Sequence, residues 1–127
     1  MKESKIIYKY LSFKIVGALK NVHSELGGQL QEKYYQRALE KAFKDSHINC
    51  VSQKTISIKY RDERIGCYVP DFIIEEKIVL EIKRGESFAN NDFAQVHGYL
   101  GQTGLKLGIL ALFAKKTLRF RRILNLH

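Results

Sequence analysis

The segment from Pro70 to Lys83, Pro-Asp-Phe-Ile-Ile-Glu-Glu-Lys-Ile-Val-Leu-Glu-Ile-Lys, constrains the rest of the chain more than any other stretch. Two runs of branched apolar residues flank a short charged tip, which is the pattern of a β-hairpin. Strand side chains alternate between faces, so Ile78, Leu80 and Ile82 share one face and Val79, Glu81 and Lys83 the other. If Glu75-Glu76-Lys77 is a three-residue loop, Ile74 faces Ile78, Ile73 faces Val79 and Phe72 faces Leu80. Asp71 then lands opposite Glu81. A two-residue tip would instead set Asp71 against Leu80 and send the two acids to opposite faces. In the first register the carboxylates form a repelling cross-strand pair. A divalent cation, with the Lys83 ammonium alongside, would offset that repulsion.

A chain of 127 residues is long enough for one core, and a single domain over residues 1–127 is expected. The net charge of +9 favours nucleic acid or another anionic surface as partner, although solubility alone is the plainer use of such charge. No apolar run approaches the roughly 18–20 residues that span a bilayer. The charged start Met1-Lys2-Glu3-Ser4-Lys5 is not followed by an export signal, so a cytoplasmic protein without membrane contact is expected. Cys50 and Cys67 are expected as reduced thiols, and two are too few for a four-thiolate metal site.

Apolar residues Ile15, Ala18, Leu19, Val22 and Leu26 recur at helical spacing and predict a helix from Leu11 to Leu26, with Ser12 as its cap and Gly27-Gly28 as its end. His23 on that helix has the character of a structural residue. A second helix is expected from Leu30 to Lys44, with Tyr34, Tyr35, Ala38, Leu39, Ala42 and Phe43 on one arc. Glu32 falls inside that arc. It either serves free backbone N–H groups at the helix start or points at an interior metal site.

Asn49 to Arg61 has the composition of one extended strand, followed by a turn at Arg61-Asp62-Glu63-Arg64 and a stretch that leads into the central hairpin. Pro70 suits a strand start, edge or bulge, because it has no N–H for a ladder. A third helix is expected from Asp92 to Thr103, capped by Asn90, Asn91 or Asp92. It would bury Phe93, Val96, His97 and Leu100, with Gln95 and Tyr99 stacked on one flank. Leu107–Phe113 is apolar on both faces, as in a central strand. In Leu118–Leu124, Arg119 and Arg121 face outward with Arg122 beside them. This cluster would either grip phosphates or guard a sheet edge against aggregation. Two helices, three or four antiparallel strands, a crossover helix and one or two strands make an α/β fold around one mixed sheet.

Pro70-Asp71 and then Glu81-Ile82-Lys83, ten residues after the aspartate, resemble the motif of the PD-(D/E)XK nuclease superfamily. Nearly the whole chain is similar to its GxxExxY branch. The residues carrying that likeness are Leu26-Gly27-Gly28, Glu32-Lys33-Tyr34-Tyr35, the Pro70–Lys83 hairpin, Gln95 through Tyr99, and Thr103 through Gly108. Gln95-Val96-His97-Gly98-Tyr99 also matches the Gln-x-x-x-Tyr element of RecB-type nucleases. One departure stands out: Gln29 occupies the first motif's glycine position, with Gly28 just before it.

The resemblance implies a restriction-endonuclease-like αβββαβ core, a central mixed sheet flanked by helices, and an extra N-terminal helix. It also implies a metal-dependent nuclease. Asp71 and Glu81 would hold Mg²⁺ (or Mn²⁺ in its place), and Glu32 would reach the ion directly or through water. Lys83 would act on the attacking water, while Gln95 and Tyr99 flank the site and Tyr35 supports Glu32. Arg84, Arg119, Arg121 and Arg122 would bind nucleic acid, with DNA as the expected partner. A homodimer would supply a second clamping surface. The alternative is a catalytically idle nuclease fold used to bind nucleic acid or protein.

Overall fold

The structure, a computed structural model, describes residues 7–126. Helix α1 (Lys9–Leu26) buries Ser12, Ile15, Ala18, Leu19 and Val22, a stripe that returns every three or four residues. It closes at Gly27, whose φ of 76° lets its N–H turn back to the His23 carbonyl. Ser12 is not its cap. Leu11 also packs on the core, which extends the stripe upstream and leaves Ser12 buried inside the helix.

Helix α2 (Glu32–Asp45) buries Tyr35, Leu39 and Phe43. It begins two residues later than the periodicity suggests. The Tyr35 hydroxyl donates to the Gly27 carbonyl at 2.5 Å and accepts the Leu30 N–H at 3.0 Å, holding residues 27–30 as a turn. Glu32 therefore occupies the first helical position and is exposed, outside the apolar arc where the longer helix would have put it.

The strands follow as β1 (Cys50–Ser52), β2 (Ile56–Tyr60), β3 (Glu63–Tyr68), β4 (Phe72–Ile74) and β5 (Ile78–Arg84). Helix α3 (Asn90–Thr103) then leads to β6 (Leu107–Phe113) and β7 (Leu118–Leu124). The main sheet has the order β1-β4-β5-β6-β7, and only β5 and β6 run parallel. A parallel pair needs a crossover, which α3 supplies. All seven residues of β6 are buried, as a central strand requires. Helices α1 and α2 cover the face bearing Phe72, Leu80, Ile82 and Ile109. Helix α3 covers the face bearing Val79, Leu110 and Ile123.

The hairpin has the three-residue tip: Phe72 pairs with Leu80, Ile73 with Val79 and Ile74 with Ile78. Asn49–Arg61, in contrast, is not one strand. Gln53 takes a φ of 57°, and the chain leaves the main sheet there. β1 pairs with β4, while β2 pairs with β3 in a separate two-stranded ribbon packed on α3. Residues 65–68 thus belong to the ribbon, before the chain passes through Pro70 into the hairpin.

Two expectations for α3 also shift. Its N-cap is Ala89, and the Asp92 carboxylate accepts the Ala89 N–H at 3.0 Å from inside the first turn. His97 is exposed and Tyr99 is buried, because Tyr68 of the ribbon meets the Tyr99 ring edge-on at 4.9 Å and covers that flank. The far end of α1 is pinned to the β6–β7 turn. His23 Nε2 donates to the Ala114 carbonyl at 2.7 Å, and a Cβ on Gly28 would overlap that same carbonyl. Close approach explains the glycine at position 28.

Candidate active site

β4 ends at Phe72 while its neighbour β5 runs on to Arg84, so the far end of β5 has no strand on that side. Side chains satisfy its edge instead. Asp71 Oδ2 accepts the Ile82 N–H at 2.8 Å, and Glu32 Oε2 accepts the Arg84 N–H at 3.2 Å. Glu81 Oε1 in turn accepts the Asp71 N–H at 3.1 Å. Three acids distant in the chain thus gather along one strand edge. Asp71 and Glu81 adjoin each other, as the three-residue tip requires, and Glu32 reaches over from the start of α2.

Glu81 is 5% exposed, an unusual setting for a carboxylate. Burial, then repulsion from Asp71, push its pKa up to about 7 against the pull of the Asp71 N–H and Lys83. Burial also raises Asp71, to about 6, with repulsion from Glu32 adding to it. The Ile82 N–H, Lys83 and the Gln53 side chain act in the opposite direction. Tyr99 is held well above the usual phenol range by burial first and then by Glu81 and Asp71. All three shifts share two causes, burial and the neighbouring carboxylates.

Lys83 shares the face of Glu81. Its Nζ lies 3.5 Å from Glu81 Oε2 and 4.0 Å from Asp92 Oδ1. Gln95 is half-buried on α3, one turn before Tyr99. Sequence reading missed two neighbours. Asp92 carried only a capping signal, yet it balances Lys83 from the other side. Gln53 carried no signal, because it lay inside an apparently continuous strand. The fold brings its backbone N–H to the Asp71 carbonyl at 3.1 Å and its side chain to the carboxylate.

The arginines separate into two sets. Glu81 pairs with Leu110 and Leu110 with Arg121; Lys83 pairs with Leu112 and Leu112 with Arg119. Arg121 and Arg119 therefore lie on the face of the acids, two strands across, or about 10 Å away at the usual strand spacing. Their guanidinium groups stand 4.9 and 6.0 Å from the Phe88 ring, and Arg119 also donates to the Glu86 carbonyl. Arg84 is exposed at the end of β5, with Nη2 directed at the Gln29 carbonyl. Arg122 does not join them. The two-residue alternation turns it to the α1 side, where it is half-buried and donates to the Ile7 carbonyl.

The profile of the PD-(D/E)XK nuclease superfamily matches residues 9–123, nearly the whole chain. The chain belongs to that superfamily. Its members generally hydrolyse phosphodiester bonds, usually with divalent metals. The solved crystal structure of SSO0001 has a similar fold, with a TM-score of 0.56 and 20% identity over 93% of this chain. This chain spans 57% of that one. No curated protein matches. No helix among the described residues is long and apolar enough to cross a membrane.

Do the superfamily's usual metals suit the residues present? Among the described residues, no three His, Cys, Asp or Glu side chains gather closely enough to hold an ion by themselves. Two mutually repelling carboxylates do meet at half-buried Asp71 and buried Glu81. Hard oxygen donors of this number suit Mg²⁺, which is often bound through one or two carboxylates and otherwise keeps its waters. The donor set fits.

Proposed function

We propose that this chain is a Mg²⁺-dependent nuclease of the GxxExxY branch that hydrolyses phosphodiester bonds in DNA. The observation that carries the reading is the meeting of Asp71 and Glu81 on the β5 edge, with Lys83 Nζ 3.5 Å from Glu81. Asp71 and Glu81 would hold the cation, with Glu32 as its outer partner. A bound divalent cation supplies Lewis-acid polarisation of the phosphodiester and lowers the pKa of water.

The chain's own groups do the rest. Lys83, held between Glu81 and Asp92, orients the attacking water and offsets charge that develops on the phosphoryl oxygens. Gln95 positions the scissile phosphate or a water beside it. Tyr99 walls the site from solvent and holds its proton, since its raised pKa disfavours the phenolate. Arg84, Arg119 and Arg121 would receive flanking phosphates, a role supported by their lying on the face or at the end of the strand that carries the acids, whereas Arg122 is used inside the fold. The branch assignment draws support from Tyr35, whose hydroxyl closes the turn that delivers Glu32 to the β5 edge. The free thiols of Cys50 and Cys67 suit a reducing cytoplasm.

The test is cleavage of labelled DNA with Mg²⁺ and with chelator. Wild type should cleave only with the metal, and Glu81→Ala should lose cleavage while keeping its fold and its DNA binding. Equal cleavage by a cleanly purified Glu81→Ala protein would remove the assignment. The second reading is an idle nuclease-fold binding module. That reading expects DNA binding without metal-dependent turnover.

A further inference from the structure

The β2–β3 ribbon stands apart from the main sheet, and its distal half serves no purpose in the core. Every residue from Lys59 to Ile65 is exposed, with Tyr60 at 58% and Ile65 at 66%. Three of these seven are cations, Lys59, Arg61 and Arg64, and two are acids, Asp62 and Glu63 at the turn. Lys59 and Arg64 are directly paired across the ribbon. Like charges placed so weaken a hairpin. Among the described residues, no carboxylate lies within salt-bridge range of Lys59, Arg61 or Arg64. Arg61 stacks over the Tyr60 ring at 5.0 Å, which holds this guanidinium as a flat cationic surface beside the turn.

The proximal half is fixed to the candidate site. Ile56 is buried, Tyr68 meets Tyr99 edge-on, and the Tyr68 hydroxyl lies so close to Gly98 that a Cβ there would overlap it. Gln53, just before β2, is joined to Asp71. The ribbon's direction is therefore set by the same residues that surround the acids. From Ile56 to Tyr60 it extends about 14 Å at the usual strand rise, or roughly four base-pair steps.

From this geometry we propose that the β2–β3 ribbon is a DNA-binding arm that enters the major groove of duplex DNA and holds phosphates with Lys59, Arg61 and Arg64. The inference deepens the nuclease reading by naming a duplex substrate, and it rests on nucleic acid being the ligand. The major groove of B-form DNA, about 12 Å wide, admits a two-stranded ribbon, whereas that of duplex RNA is too narrow. An anion between Lys59 and Arg64 relieves their repulsion. The bulge at Ile65 adds right-handed twist, which a ribbon following a groove requires. A single chain then already has the second contact surface that a homodimer would otherwise supply.

The test is equilibrium binding of the full chain, with chelator present to prevent cleavage, to duplex DNA, single-stranded DNA and duplex RNA of one sequence across a salt series. Lys59→Gln, Arg61→Asn and Arg64→Gln combined should weaken duplex-DNA binding at least about tenfold. The same variant should make the salt slope shallower by about 2–3, near one per lost phosphate contact. Binding to duplex RNA should not change. Arg61→Asn alone, at an exposed turn residue whose φ of 49° suits Asn, should lower the slope by about 1 and covers the case in which the triple variant misfolds. Unchanged duplex-DNA affinity and slope, or equal loss on all three ligands, overturns the arm. Ribbon-dependent binding without any cleavage would keep the arm and remove the nuclease reading; cleavage with ribbon-independent binding would do the reverse.

Discussion

Asp71 and Glu81 are linked through the backbone as well as through charge: Glu81 Oε1 accepts the Asp71 N–H at 3.1 Å. Asp71 passes the constraint on by accepting the Ile82 N–H at 2.8 Å. Beyond the paired part of β4, the Asp71 carboxylate continues the edge of the sheet and Glu81 holds the Asp71 backbone, which fixes both positions before any ligand arrives. The same arrangement keeps two carboxylates close together, Glu81 buried and Asp71 half-buried, and its cost should be measurable.

Metal-free protein should lose stability as pH rises from about 4 to about 7. The ordinary values for Asp71 and Glu81 are 3.8 and 4.5, and in the folded chain they rise to about 6 and about 7. Between those limits the folded state binds more protons than the unfolded chain, so unfolding becomes easier with increasing pH. Thermal melts in chelator from pH 4 to 8 should show the decline. Glu81→Gln should flatten it, and Mg²⁺ should restore stability at the upper end. A melting temperature that rises across this window would contradict the mutual repulsion and burial of these two acids.

Lys83→Ala should lower kcat by about 10²–10⁴-fold, the usual range for a positioned proton-transfer group, with little change in KM. Its Nζ touches Glu81 and approaches Asp92, both local partners, so the fold should persist. Single-turnover cleavage and a thermal melt on the same preparation check both halves.

Tyr35→Phe removes a hydroxyl that bonds Gly27 and Leu30 but keeps the ring stacked on Phe113 at 4.1 Å. The expected loss is about 1–2 kcal/mol for the two hydrogen bonds. That corresponds to a drop of roughly 3–8 °C in Tm. Cleavage should fall further than stability explains, because the freed turn no longer delivers Glu32 to Arg84. Activity measured well below the new Tm distinguishes the two effects.

Gly28→Ala should destabilise by about 1–3 kcal/mol, since its methyl group would meet the Ala114 backbone and not a side chain able to move aside. A denaturant titration beside Gly17→Ala, where a Cβ meets open space, isolates the steric cost.

Much of the scaffold was legible because it rests on short-range periodicity. The register of the Phe72–Ile82 pairing follows from two-residue alternation and the length of the Glu75–Lys77 tip, and β6 announces its double burial by apolar residues at every position. Helices α1 to α3 were visible in outline, while the starts of α2 and α3 were not, since the Tyr35 hydroxyl and the Asp92 carboxylate set them through hydrogen bonds that apolar periodicity does not report. The departure of β2 from the main sheet was hidden for a related reason. It depends on a positive φ at Gln53, and Gln has no general preference for that conformation.

By itself the sequence determined the hairpin, the helical stripes, the central strand and a pair of acids ten residues apart. These follow from the backbone's own repeats, which neighbouring residues decide among themselves. Only the tertiary structure decided that Glu32 bonds Arg84, that Gln53 serves Asp71, that Arg122 turns away from Arg121, and that the ribbon packs its base against Tyr99. Each of those joins groups on different elements, and packing alone determines which faces meet.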